Sequence, residues 1–363
     1  QGGAMFFASD NTSGMPERIL QAIGKANSGF AAGYGNDALM AQVRAQIRKL
    51  FEAPEAEVFL VTTGSAANAL ALASYCPPWG AVYCHALAHI EVDECGAPEF
   101  YTGGAKLTHV AGENGKMSAD ALAETLARSG RGVVHNVQPG ILSLTNLTEC
   151  GTRYSVPEIA ALSAIAKANG LPVHLDGARF ANALVAEGCS PADMSWRAGV
   201  DVLSLGGTKN GLMGVEAVIL FDPARAWEFQ LRRKRGGHLW SKHRYLSAQM
   251  AAWFEDGLWL DLARDANTMA TRLEAGLADR AELLFARGGN MLFARWPRGV
   301  HQQMQAKGAQ YFLWPDDQSL DGPAHIPVSA RLVCSWNTEA AHVEAFLNMM
   351  KPMPGRGSMS GQV

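Results

Sequence analysis

Short apolar runs at residues 58–61, 82–85, 106–110, 133–137, 141–144, 171–175, 202–205 and 215–221 alternate with segments of helical period. Strands that alternate with helices assemble into a mostly parallel sheet covered on both faces, so this rhythm confines the chain to the α/β class. Beyond residue 250 the rhythm changes. A helical stretch over 250–280 leads to strand-like runs at 290–296, 311–314 and 330–336, with helices at 300–307 and 338–349, which describes a smaller α+β unit. The chain has 363 residues, long for one core, and two domains are expected, 1–249 and 250–363.

In an open α/β sheet ligands sit beyond the carboxyl ends of the strands, so the residues that close each run carry the functional information. The run at 202–205 is followed by Gly206-Gly207-Thr208-Lys209, which leaves a lone lysine among residues too small to shield it. A desolvated lysine at such a place acts as a neutral amine and forms a Schiff base. The run at 171–175 delivers Asp176, and Gly177 allows the backbone to turn so that Arg179 points back to the same crevice. After 58–61, Thr62-Thr63-Gly64-Ser65 turns directly into a helix, and a helix N-terminus offers backbone N–H groups and a positive dipole to a phosphate. The lysine spacing of a nucleotide-binding P-loop is missing there, and simple helix capping by Thr62, Thr63 and Ser65 is the competing explanation.

His85 and His89 are spaced as on one helical face. Glu91, Asp93 and Glu94 follow at spacings that match no common zinc site, so a planar ring stacked on a cofactor is the better use of one of these histidines, and no metal is expected. Gly33-Tyr34-Gly35 is a turn that carries one aromatic ring, and Arg331 heads an apolar run from which it reaches a crevice between domains or stays on the surface.

Composition removes several classes. Apolar residues make up 48% and charged residues 18%, with a net charge of -3, which argues against disorder and against a nucleic-acid partner. No apolar stretch is long enough to cross a bilayer and no signal-type segment opens the chain, so a cytoplasmic protein is expected. The six cysteines form no Cys-x-x-Cys pair and are expected to be reduced. Residues 1–4 read as an expression remnant and 352–363 as a frayed tail.

A phosphate cup, a strand-end carboxylate, a Schiff-base lysine and carboxylate-binding arginines are the groups that pyridoxal phosphate requires. Their order, Ser9-Asp10, Gly33-Tyr34-Gly35, Thr63-Gly64-Ser65-x-x-Asn68, His89-Ile90, Glu94-x-Gly96-Ala97, His174-x-Asp176-Gly177-Ala178-Arg179, Lys209 and Arg331-x-Val333, resembles the L-threonine aldolases among the fold-type I pyridoxal-phosphate enzymes. The resemblance runs from Phe6 to about Phe346. It implies that Lys209 carries the cofactor, that Asp176 pairs with the pyridinium and that His89 stacks on its ring. It further implies that Gly64, Ser65 and Thr208 face the phosphate, and that Ser9, Arg179 and Arg331 hold the substrate carboxylate. A homodimer or homotetramer with shared sites is implied too, with Tyr34 and Lys242 or Arg244 serving the neighbouring subunit.

Two departures stand out: Gly-Gly-Thr precedes the lysine where many members have a Ser-Lys pair, and Asn146-Leu147-Thr148 replaces Asn-Thr-His. His135, at a second recurrent family position, and His85 are the remaining imidazole candidates. The activity implied is retro-aldol cleavage of L-threonine, L-allo-threonine or phenylserine-type substrates, with His89 or His135 as base. Another fold-type I activity such as β-elimination, transamination or decarboxylation, a metal-dependent aldolase using His85 and His89, and a non-catalytic binding protein are the competing readings.

Overall fold

A computed structural model describes residues 5–351, so both terminal segments expected to be a remnant and a tail lie outside the described residues. Seven strands form the large sheet: β1 (Glu57–Val61), β2 (Gly80–Cys84), β3 (Lys106–His109), β4 (Gln138–Thr145), β5 (Val173–Gly177), β6 (Val202–Gly206) and β7 (Glu216–Leu220). Their order is β1-β7-β6-β5-β4-β2-β3, and β7 alone runs against the rest. β2, β5, β6 and β7 are buried along their whole length, as strands covered on both faces must be, which is why apolar residues dominate them. A second sheet, ordered β10-β11-β9-β8, is built from β8 (Glu282–Leu283), β9 (Met291–Pro297), β10 (Phe312–Leu313) and β11 (Pro327–Val333).

The helix Gly64–Tyr75 is buried from Ala66 onward and rich in alanine, so its backbone approaches the large sheet closely against β6 and β7. Burial of Leu70 and Leu72, neither of which reaches solvent, stabilises that contact by about 2 kcal/mol each. Trp253, Phe254 and Trp259 pack edge to face or tilted at centroid distances of 5.1 to 5.6 Å and belong to a second, larger core that reaches the lysine turn. The expected boundary at 249/250 falls inside the helix Arg244–Phe254, which packs on the helices Glu17–Ala26 and Ala38–Leu50.

Three local expectations are corrected. Residues 133–137 form turns, and β4 starts only at Gln138. Positive φ at Gly130 and Gly132 and the turn bonds from Val133 N–H to Gly130 O and from Asn136 N–H to Val133 O override the β-propensity of the valines. The helical stretch over 250–280 is broken at Asp256 and Gly257, both with positive φ, and resumes as Leu258–Leu277. His85 and His89 do not share a helix: His85 lies in the turn after β2, and His89 begins the short helix His89–Val92. Among the described residues no helix is long and apolar enough to cross a membrane.

Candidate active site

The parallel strands end on one edge of the large sheet, and the residues that follow them enclose a cavity of about 320 Å³. Thr63 and Gly64 come from the turn after β1, His89 from the segment after β2, Asp176 from β5 and Lys209 from the single turn Thr208–Asn210 after β6. Thr63 caps the helix Gly64–Tyr75, its hydroxyl accepting from Ala66 N–H at 3.1 Å, so the capping explanation holds for this residue. Space is open where a Cβ on Gly64 would lie, so a ligand can approach the N–H groups of that first turn. The lysine turn is pinned from below: Asn210 Nδ2 donates to Trp259 O at 2.8 Å and Trp253 Nε1 donates to Asn210 O at 2.9 Å.

A hydrogen-bonded line crosses the cavity floor. His89 Nδ1 and Glu94 Oε1 are 2.8 Å apart, and Asn68 Nδ2 donates both to Glu94 Oε1 and to Asp176 Oδ2, each at 2.9 Å. Asn68 thus lies between two buried carboxylates of like charge. The other oxygen of Asp176 accepts from Ala178 N–H at 3.0 Å, which fixes the carboxylate plane. Burial pushes the His89 imidazole toward neutrality, but the bond to Glu94 and then the charge of Asp176 outweigh it, leaving the pKa above the ordinary histidine value. Since Glu94 Oε1 already accepts from Asn68, the proton of neutral His89 belongs on Nδ1 and Nε2 is left as the basic nitrogen.

Arginine and carboxylate meet close enough to Lys209 and Asp176 to feel their charges, although Ser9, Asp10, Arg179 and Arg331 are not on the cavity wall. Asp10 accepts from Arg179 Nε at 2.7 Å and from Arg179 Nη2 at 2.9 Å, and Asn290 Nδ2 donates to the same carboxylate at 3.1 Å. Burial raises the Asp10 pKa, yet the Arg179 guanidinium holds it below the ordinary carboxylate value. Arg331 donates from Nη2 to Ala8 O at 3.4 Å and leaves Nε buried and unpaired among the described residues. Burial, followed by repulsion from Arg179, lowers its pKa, and the nearby charges of Glu149 and Asp10 offset this only in part.

Other residues singled out from the sequence lie elsewhere or are already engaged. His135 stands on an exposed turn before β4, at the opposite end of the sheet from Lys209, so within one chain it cannot reach the cavity. His85 accepts from Leu87 N–H through Nδ1 at 3.0 Å and faces Gly112 O through Nε2 at 3.4 Å, which commits both ring nitrogens to backbone. The Thr208 hydroxyl donates to Glu216, and Ser9 Oγ accepts from Asn11 N–H at 3.2 Å. Tyr34 is half exposed, 5.0 Å beneath Lys234 Nζ, and its N–H donates to Ser241 O. Lys242 is exposed nearby, and Arg244 donates to Gly29 O at 2.9 Å. Sequence reasoning named Glu94 as a rejected metal ligand and as part of the Glu94-x-Gly96-Ala97 motif without giving it a role in the site, and it missed Glu216. The only available signal for Glu216 was an acid inside an otherwise apolar run.

The cavity fits pyridoxal phosphate by its own chemistry. It offers an amine, a buried carboxylate, an imidazole and a glycine-opened helix N-terminus, and Asn68 Oδ1 and Glu94 Oε2 on its wall have no partner among the described residues. Residues 7–292 match the beta-eliminating lyase family. The chain belongs to that family. As a beta-eliminating lyase family member it is 40% identical over 339 residues to the low specificity L-threonine aldolase of a Pseudomonas species, covering 93% of this chain and 94% of the relative. It is 39% identical, with the same coverage, to the protein of that name from Pseudomonas aeruginosa.

A Leishmania major threonine aldolase structure superposes with a TM-score of 0.87 at 30% identity, over 94% of this chain and 97% of that one. Sphingomonas wittichii serine palmitoyltransferase, at 14% identity and a TM-score of 0.68 over 95% of this chain and 86% of that one, shares the fold alone. This beta-eliminating lyase family member is therefore a fold-type I, pyridoxal-phosphate-dependent carbon–carbon lyase, as the resemblance implied.

Proposed function

We propose that the chain splits β-hydroxy-α-amino acids of the L-threonine, L-allo-threonine or phenylserine type into glycine and an aldehyde. The observation that carries this reading is the single cavity in which Lys209, Asp176 and His89 meet, in a chain 40% identical to an enzyme named for L-threonine. Pyridoxal phosphate, when bound, supplies a conjugated ring that accepts the electron pair of the breaking Cα–Cβ bond. Lys209 would hold its aldehyde carbon, Gly64 and Ser65 would take its phosphate, Asp176 would keep its ring nitrogen protonated and His89 would stack on its ring.

Arg179 and Arg331, with Ser9 beside them, receive the substrate carboxylate. Asp10 occupies two donors of Arg179 and so fixes the direction of its remaining edge. Anchoring the carboxylate would fix the orientation of the bonds at the substrate's Cα, and orientation selects the reaction. His89 Nε2 accepts the β-hydroxyl proton as the aldehyde leaves. Tyr34, Lys242 and Arg244 gather on one surface outside the cavity, an arrangement suited to completing a neighbouring copy's site in a homodimer or homotetramer. A reducing, cytoplasmic setting suits the six cysteines, all of which are unpaired.

Incubation with pyridoxal phosphate and the isomers of threonine, allo-threonine and phenylserine tests the reading. Glycine and the matching aldehyde are expected from at least the L-isomers. Ammonia and a keto acid as the main products would overturn it in favour of β-elimination, and loss of activity on chelation would point to a metal-dependent aldolase.

A further inference from the structure

Glu216 opens β7, and because β7 runs against its neighbours, its first residue arrives at the edge where the other strands end. It stands opposite Val61 of β1 on one side and Gly206 of β6 on the other, between the helix-capping turn and the lysine turn. The rest of the strand, Ala217-Val218-Ile219-Leu220, is apolar, and Glu216 as a whole residue is 5% exposed on the wall of the cavity. A buried carboxylate at such a place costs several kcal/mol unless donors satisfy it.

Three donors converge on it. Gly207 N–H donates to Oε2 at 2.6 Å, Thr208 N–H donates to the same oxygen at 3.4 Å, and the Thr208 hydroxyl donates to Oε1. Successive N–H groups at a turn form a nest for an anion, the kind of nest that commonly receives a ligand's phosphate. Here the chain fills the nest with its own carboxyl group, so the phosphate is left to the turn of Gly64 and Ser65. On its other side the turn is wedged: a Cβ on Gly207 would lie 2.6 Å from Val215 O and from Leu212 Cδ1. Lys209, by contrast, makes no side-chain hydrogen bond or ion pair among the described residues, so the direction of its amine depends on the turn that carries it.

We propose that Glu216 is a positioning residue whose carboxylate pins Gly207 and Thr208 and so aims the Lys209 amine into the cavity before the cofactor arrives. The inference rests on the pyridoxal-phosphate reading of the site but not on the identity of the substrate. Its consequence is fast, unaided loading of the apoenzyme.

The test is reconstitution without substrate. Cofactor-free protein is mixed with pyridoxal phosphate, and the rise of the visible Schiff-base band is followed by stopped flow, with borohydride trapping on Lys209 read by mass spectrometry. Glu216→Gln is expected to slow loading about tenfold or more, the scale of a buried donor left without its acceptor. Thr208→Val is expected to slow it in the same direction, Thr208→Ser to load like the unmodified protein, and the double variant to be no slower than the slower single one, because both act through one contact. Loading of Glu216→Gln at the unmodified rate, or additive effects of the two substitutions, overturns the proposal. Thermal unfolding of each apo variant checks folding, and if Glu216→Gln does not fold, the Thr208 pair decides: equal rates for Val and Ser overturn the proposal. Aldol cleavage is never measured, so this result and the substrate result fail separately.

Discussion

At the scale of single residues the site is a set of charges held at fixed distances by neutral groups. Asn68, buried beside Glu94 and Asp176, bonds both carboxylates with one nitrogen. Glu94 in turn favours the protonated form of His89, so a rate that needs neutral His89 falls as pH drops through its raised pKa. Glu94→Gln removes that stabilisation and is expected to move the acid limb of kcat/KM to lower pH, which a pH–rate profile or an imidazole NMR titration reads directly. An unshifted limb in both would remove Glu94 from the account of the base.

Asp10→Asn leaves the Arg179 guanidinium buried without its anion and is expected to cost about 3–5 kcal/mol in urea unfolding. Because the folded-state pKa of Asp10 lies below its unfolded value, its contribution is present above the ordinary carboxylate range and is lost as pH falls through the folded-state pKa. The difference between variant and unmodified protein should narrow accordingly in acid.

Among the elements, β6 and its neighbours set the tolerances of the site. Gly206 is the last residue of β6, and a Cβ there would lie 2.3 Å from Ala178 O, in the segment between Asp176 and Arg179. Gly206→Ala must push the ends of β5 and β6 apart, at a cost of about 1–3 kcal/mol for forced overpacking. Weaker pyridoxal-phosphate binding at near-normal secondary structure is expected, measured by equilibrium titration and circular dichroism. The turn at 133–137 shows the opposite situation, where an element suggested by valines failed to form. Val134 is 90% exposed, so its β-propensity gains no packing among the described residues to act through.

For the molecule as a whole, a cofactor that binds only the folded state must raise its stability. At a free concentration one hundred times its dissociation constant, the gain is about 2.7 kcal/mol, read as a rise in Tm that grows with added pyridoxal phosphate. Lys209→Ala should lose most of that rise together with the visible band, while its own fold stays intact, since the amine takes part in no internal bond among the described residues. A Tm insensitive to the cofactor in the unmodified protein would contradict the assignment of the cavity.

How much of this was legible beforehand follows from what is local. Strand periodicity, the glycines that end β6 and the threonine that caps the helix Gly64–Tyr75 are properties of short stretches, so Lys209, Asp176 and Gly64 could be placed at strand ends from the sequence alone, and the α/β class with them. Strand order and direction are not local. Only the tertiary structure brought Asn68 to Asp176 across 108 residues and Arg179 to Asp10 across 169, kept His135 at the far end of the sheet within its own chain, and reversed β7 so that Glu216 meets the lysine turn. The physical reason is that a side chain's partner is chosen by which strands become neighbours, and that choice is made by burying the whole core at once rather than by any single stretch of the chain.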